Sequence, residues 1–241
     1  MAPDLDSGSG SDSDSDSDSE RRPDMREMAM PHRMFRREFG LMPALVRNAA
    51  PGDPERRRIV ADHIDLVTQV FESDQHGEDT LWPKLRERVP AAMTSRIELI
   101  ESQHAALDAI RAELRGAVDA WRKVGDPETG ERLAAVADRM AAALGEHLAA
   151  EEELVVPLIE EYITAQEWED VVQQEAADSS PEHFALLFGL VMYEADPGVI
   201  DAIVSGMPLE VRPIIKQLAA DAYAAHAQVV HGTATPPRAT V

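Results

Sequence analysis

From Pro23 onward, apolar side chains recur at intervals of three and four, the spacing that puts them on one face of an α-helix. Met25, Met28, Met34, Phe35, Phe39, Met42, Leu45 and Val46 form the first such stripe, with Arg and Glu opposite. Pro31 falls inside it, so the helix either starts there or carries a kink. Pro51-Gly-Asp-Pro54 closes this element. A second helix is expected from about Glu55 to Arg88, with Ile59, His63, Leu66, Val67, Val70 and Phe71 inward, interrupted near its end by Gly77 and Pro83 and stopped by Pro90. A third spans about Ala91 to Lys123 and ends at Gly125-Asp-Pro127. A fourth runs from about Glu128 to Tyr162, carrying Leu133, Val136, Met140, Leu144, His147, Leu154, Val155 and Leu158. Long helices joined by short breaks pack as antiparallel neighbours, so the pattern predicts an all-α fold, an up-down-up-down four-helix bundle over residues 23–162. Thr164-Ala-Gln-Glu167 reads as a capping box opening a further helix, and Ser180-Pro181 and Asp196-Pro197 each pair a capping residue with a proline at the first helical position. Residues 163–231 are therefore expected to add shorter helices packed on the bundle.

Composition narrows the chemistry. Residues 1–22 are dominated by alternating Ser and Asp, which leaves nothing to bury and predicts a disordered acidic tail; residues 232–241 are expected to be a second one. A basic protein partner is the ligand such an acidic tail would suit. The net charge of −22 argues against binding nucleic acid or anionic membranes. There is no cysteine, so a metal site must be built from His and carboxylate. The longest apolar run, Phe184 to Tyr193, is too short to span a bilayer, and the first residues do not read as a basic-then-apolar leader. A cytoplasmic, soluble protein is the expectation.

The candidate chemistry centres on His147-Leu-Ala-Ala-Glu151. Residues four apart share a helix face, and an imidazole and a carboxylate aimed from that face into a bundle suit iron, manganese or zinc. In an antiparallel bundle, Glu78 near the end of helix two, His104 early in helix three and Glu151 near the end of helix four fall in one slab, roughly 15 to 20 Å from the bundle's end. His32 joins them if its helix begins near Pro23 with Pro31 as a kink. His63 reads as a core or supporting residue, and His183, His226 and His231 read as surface or boundary residues. Asp108, one turn beyond His104, is a weaker candidate ligand.

These stretches resemble the hemerythrin-like, HHE cation-binding four-helix bundles, in particular their longer actinobacterial-type members. The resemblance is carried by His32-Arg-Met-Phe-Arg-Arg-Glu-Phe39, Val60-Ala-Asp-His63, Gly77-Glu-Asp-Thr-Leu-Trp-Pro83, Glu101-Ser-Gln-His104 and His147-Leu-Ala-Ala-Glu151-Glu152. It implies a non-haem di-iron centre, oxo- and carboxylate-bridged, with His32, Glu78, His104, His147 and Glu151 as iron ligands. The chain departs from the family pattern in helix two, where a histidine is expected four residues before Glu78 and Asp74 stands instead. Three outcomes follow: Asp74 ligates directly, His76 swings in after a local register change, or one metal position is weakened.

The resemblance further implies binding of, or reaction with, a small diatomic or peroxide ligand such as O₂, NO or peroxide. It leaves open sensing, storage, detoxification and a catalase-like activity. The contrasting expectation is a metal-depleted bundle serving as a regulatory protein-interaction module.

Overall fold

The computed structural model describes residues 21–176 and 181–239, and among these every regular element is helical. The first helix, α1 (Ala29–Arg47), is followed by α2 (Pro54–Asp79), the short α3 (Trp82–Arg88), a single 3₁₀ turn at Ala91–Met93, α4 (Thr94–Val124), α5 (Pro127–Leu154) and the short α6 (Val156–Tyr162). α1 packs on α5 and α2, and α4 packs on α5 and α2, which closes the up-down-up-down bundle.

Three boundaries differ from the sequence reading, each for an identifiable reason. Residues 25–28 form a turn, and Pro31 lies in the first turn of α1, where its missing N–H would have had no intrahelical partner. No kink is needed to bring His32 inward. The expected second helix breaks after Asp79 and the expected fourth after Leu154. Pro83 and Pro157 cause these breaks, because a proline ring collides with the carbonyl four residues earlier, here Asp79 and Glu153. The short helices that result, α3 and α6, pack on each other across the bundle's end.

The capping signals in the second half hold where they can be seen. α7 (Ala165–Ala176) opens on a reciprocal box in which Thr164 Oγ1 accepts from the Glu167 N–H at 3.2 Å and Glu167 Oε2 accepts from the Thr164 N–H at 3.1 Å. α9 (Pro197–Gly206) is capped by Asp196, which accepts from the N–H groups of Gly198 and Val199. The expected cap at Ser180, ahead of α8 (Pro181–Met192), lies outside the described residues, as does the Ser/Asp segment through residue 20. The last helix, α10 (Arg212–His231), is longer than expected and packs on α8. Gly189 makes that approach close enough: a Cβ there would meet the Ala219 carbonyl oxygen at 2.2 Å. α8 lies on α1 and α10 on α2, so the accessory layer covers one side of the bundle. Residues 232–239, expected to be a loose tail, lie against the turn that follows α8: Tyr193 Oη donates to the Pro236 carbonyl at 2.9 Å and Glu194 Oε1 accepts from the Ala239 N–H at 2.6 Å.

Apart from a third body around Met30, Phe188 and Ile215 beneath the accessory helices, the apolar interior of the described residues falls into two bodies along the bundle. The larger holds Phe35, Phe39, Phe71, Leu107, Leu144 and Leu148, with Phe71 meeting Phe35 and Phe39 edge-on at 5.2 and 5.7 Å between centroids. The smaller lies under α3 and α6 and holds Met28, Leu81, Leu85, Ile100, Val155 and Leu158. Among the described residues, no helix is long and apolar enough to cross a membrane.

Phe71→Ala removes the ring that joins the aromatic trio and is expected to cost about 3–5 kcal/mol, read as a fall in the denaturant midpoint. The Glu167 carboxyl is held down to about 2, chiefly by the hydrogen bond from Arg88 and, against burial, by the Thr164 N–H. Its contribution to stability is therefore present above about pH 5 and fades as pH falls toward about 2. Glu167→Gln should lower the denaturant midpoint of metal-free protein at pH 7, with the gap to the unmodified chain closing in acid. A gap constant with pH would contradict this.

Candidate metal centre

Between the two apolar bodies lies a polar layer. On α1, His32 stands between Met28 and Phe35; on α4, His104 stands between Ile100 and Leu107; on α5, Glu151 stands between Leu148 and Val155. On α2, Glu78 stands between Phe71 and Leu81. All of these, with His147, are buried. The sequence places each at a helical step from flanking core residues, so packing the core fixes the polar side chains at one level.

Each imidazole is oriented the same way. His32 Nδ1 faces Glu152 Oε1 at 2.8 Å, His104 Nδ1 faces Asp79 Oδ1 at 3.1 Å, and His147 Nδ1 faces Gln103 Oε1 at 3.3 Å. An oxygen partner requires Nδ1 to donate, which leaves the Nε2 lone pair directed inward. The partners are themselves held, Glu152 by both terminal nitrogens of Arg36 and Asp79 by the Trp82 indole at 2.7 Å.

The inward atoms meet carboxylates. His32 Nε2 and His147 Nε2 each lie 3.6 Å from Glu151 Oε2, and His104 Nε2 lies 3.4 Å from Glu78 Oε2. His32 Nε2, His104 Nε2 and both Glu151 oxygens are buried without a hydrogen-bond partner. Two sets of three donor groups result, Glu78 with His104 and His147, and Glu78 with His32 and Glu151, the atoms of each set within 4.8 Å of one another. Glu78 belongs to both. Orphaned buried nitrogens and oxygens converging at this spacing fit a cation better than they fit an empty polar pocket.

The electrostatics agree. Burial, with the charge of Glu78 added, raises the Glu151 carboxyl well above its usual range. Burial pushes the Asp74 carboxyl up to about 6 against the lowering influence of His32 and His104. His147 is pushed down to about 3 by burial and then by the neighbouring imidazoles. Burial alone would lower His32, but its bond to Glu152 and the charges of Glu151 and Asp74 raise it instead. A bound cation reverses the cost of ionising these acids.

Of the sequence-derived candidates, His32, Glu78, His104, His147 and Glu151 are brought together. Asp74, half-buried on α2, is outside both sets of converging donor atoms but near enough to His32 and His104 for their charges to act on its carboxyl. His76 does not join them: it is exposed on α2. Asp108 is also exposed and pairs with Arg111 at 2.6 Å. His226 and His231, read as surface or boundary residues, are partly buried and lie beside His63 at the junction of α1, α2 and α10. Glu38, which the α1 pattern placed on the polar face, is buried there too. No local spacing signals this group, because α10 follows His63 by some 150 residues; the one available hint is a histidine within the apolar stripe of α2.

Neither the curated proteins nor the solved structures offer a relative that matches the chain. The family model of the hemerythrin HHE cation binding domain matches residues 25–159, from the turn before α1 to the middle of α6, and so spans every member of the polar layer. With that match over more than half of its length, the chain belongs to the hemerythrin HHE cation-binding family.

Proposed function

We propose that the polar layer holds a pair of iron ions and that the protein binds or reacts with O₂, NO or peroxide there. The observation that carries this reading is the convergence of three Nδ1-anchored histidines on Glu78 and Glu151, with Glu78 common to both donor sets. His32, His104, His147, Glu78 and Glu151 would hold the metal pair, Glu78 as the shared carboxylate. Asp74, half-buried on α2 and within the influence of His32 and His104, would take the place of the histidine that the family pattern has in α2. When bound, an iron pair with an open position exchanges electrons with a small oxygen or nitrogen ligand.

The chain's own groups set the conditions for that chemistry. Glu152, Asp79 and Gln103 keep the imidazoles in the ligating tautomer, so little reorganisation is needed on binding. Phe35, Phe71, Leu107 and Leu148 on one side, and Leu81, Ile100, Val155 and Leu158 on the other, keep bulk water out of the layer. Replacing the usual histidine with Asp74 adds a hard, anionic donor, which favours the more highly charged metal state.

Protein expressed in iron-replete medium and analysed by elemental mass spectrometry and visible absorption tests this. His147→Ala is expected to lose about two irons relative to the unmodified chain, together with its ferric absorption, and Asp74→Asn to lose about one. His76→Ala should leave the iron content unchanged. Equal iron in the His147→Ala and unmodified proteins, or no iron in either, would overturn the reading; the latter would favour a metal-free interaction module.

A further inference from the structure

We propose that Glu38, His63 and His231 form a second, mononuclear site for a divalent transition-metal cation, separate from the polar layer and built across the joint between the bundle and its accessory helices. The three come from different elements, Glu38 from the middle of α1, His63 from α2 and His231 from the last position of α10. His231 and its helix lie beyond the segment that the family model matches. Along α2, Val67 and Phe71, both fully buried, stand between His63 and Asp74, so an apolar layer separates the two groups.

The geometry is that of three donors awaiting a common partner. His63 Nε2 lies 3.3 Å and His231 Nε2 3.2 Å from Glu38 Oε2, and the three atoms all lie within 4.8 Å of one another. All three are buried without an aligned hydrogen bond. Around a tetrahedral ion with bonds of roughly 2.0–2.1 Å, donor atoms are about 3.3 Å apart, close to the spacing of Glu38 Oε2 from each histidine here. Two imidazoles and one carboxylate form a donor set that suits zinc or ferrous iron and leaves further coordination positions open.

The surroundings hold each donor in a ligating state. The other Glu38 oxygen, Oε1, accepts from Arg37 Nε at 2.9 Å and from Tyr223 Oη at 3.2 Å, which turns Oε2 toward the histidines. Arg37 also pairs with Glu194 and donates to the Leu190 carbonyl, and its guanidinium lies over the rings of Tyr193 and Tyr223. Arg37 is thus shared between Glu194 and Glu38 Oε1, while Glu38 Oε2 faces the two histidines. His63 Nδ1 lies 3.1 Å from His226 Nε2; with Nδ1 donating, His63 Nε2 is free to ligate. His231 is positioned by the end of α10, which turns at Gly232 with φ of +75° and whose Val229 and Val230 carbonyls accept from Arg56 of α2. A cation here would pin the last turn of α10 to α1 and α2, so binding adds to the stability of the whole fold.

Titration of the metal-free full chain with Co²⁺, followed by visible absorption and by thermal unfolding, tests the site. A His32→Ala/His104→Ala/His147→Ala chain, lacking all three histidines of the polar layer, is expected to bind about one Co²⁺ tightly and to unfold at a higher temperature with it, and X-ray absorption of that sample should show two imidazoles on cobalt. Adding His231→Gln, or separately His63→Gln, should abolish that equivalent and the thermal shift, with far-ultraviolet circular dichroism confirming the fold. His226→Ala should weaken binding about 10-fold. No Co²⁺ bound by the His32→Ala/His104→Ala/His147→Ala chain, fewer than two imidazoles on its cobalt, or a folded His231→Gln or His63→Gln variant that keeps the equivalent would overturn the proposal. Failure of the iron reading is separately visible, because His231→Gln in an otherwise unmodified chain would then hold no iron.

Discussion

The structure depends on the cost of hiding ionisable groups from water. A buried carboxylate or imidazole without a partner is unfavourable by several kcal/mol, and a set of them at one level would drive the helices apart unless something of opposite charge joins them. Here His32, His104, His147, Glu78 and Glu151 are held at such a level by two apolar bodies, one on each side. The hydrophobic energy of those bodies fixes the helices, and the helices hold the polar groups where they would not go alone. The shifts in proton affinity record the same tension, with Glu151 and Asp74 favouring their protonated forms and His147 its neutral form. In functional sites, strain of this kind is commonly offset by the ligand the site exists to hold.

Most of this was legible in the sequence, because consecutive antiparallel helices convert spacing directly into depth. The apolar periodicity gave the four long elements, the Thr164–Glu167 box and the Asp196 cap appear as read, and Glu78, His104, His147 and Glu151 share a level as the helix rise requires. Where the reading missed, a local effect was given too little weight. Pro157 ends α5 as Pro83 ends α2, and Pro31 is absorbed in a first turn rather than bending a longer helix. The choice between Asp74 and His76 needed the rotation of α2, which turns Asp74 partly inward and leaves His76 exposed.

The group at Glu38, His63 and His231 was hidden for a different reason. Its members meet only because α8 and α10, packed closely on each other at Gly189, fold back over α1 and α2, and no repeat or spacing within one helix encodes that meeting. Depth arguments apply to neighbours in the bundle and are silent about a layer laid across it. The accessory helices thus complete a polar cluster as well as covering an apolar side of the bundle, and Arg37, Tyr223 and His226 surround it with the ordered partners that metal ligands require.

The central claim is that the inward Nε2 atoms of the bundle layer are ligands rather than trapped core histidines. Anomalous diffraction at the iron edge, from crystals of the iron-loaded chain, measures this most directly. The account predicts two peaks a few ångströms apart, both in contact with Glu78, one near His104 and His147 and the other near His32 and Glu151. Iron found only on surface carboxylates, with ordered water or nothing between the imidazoles, would contradict it.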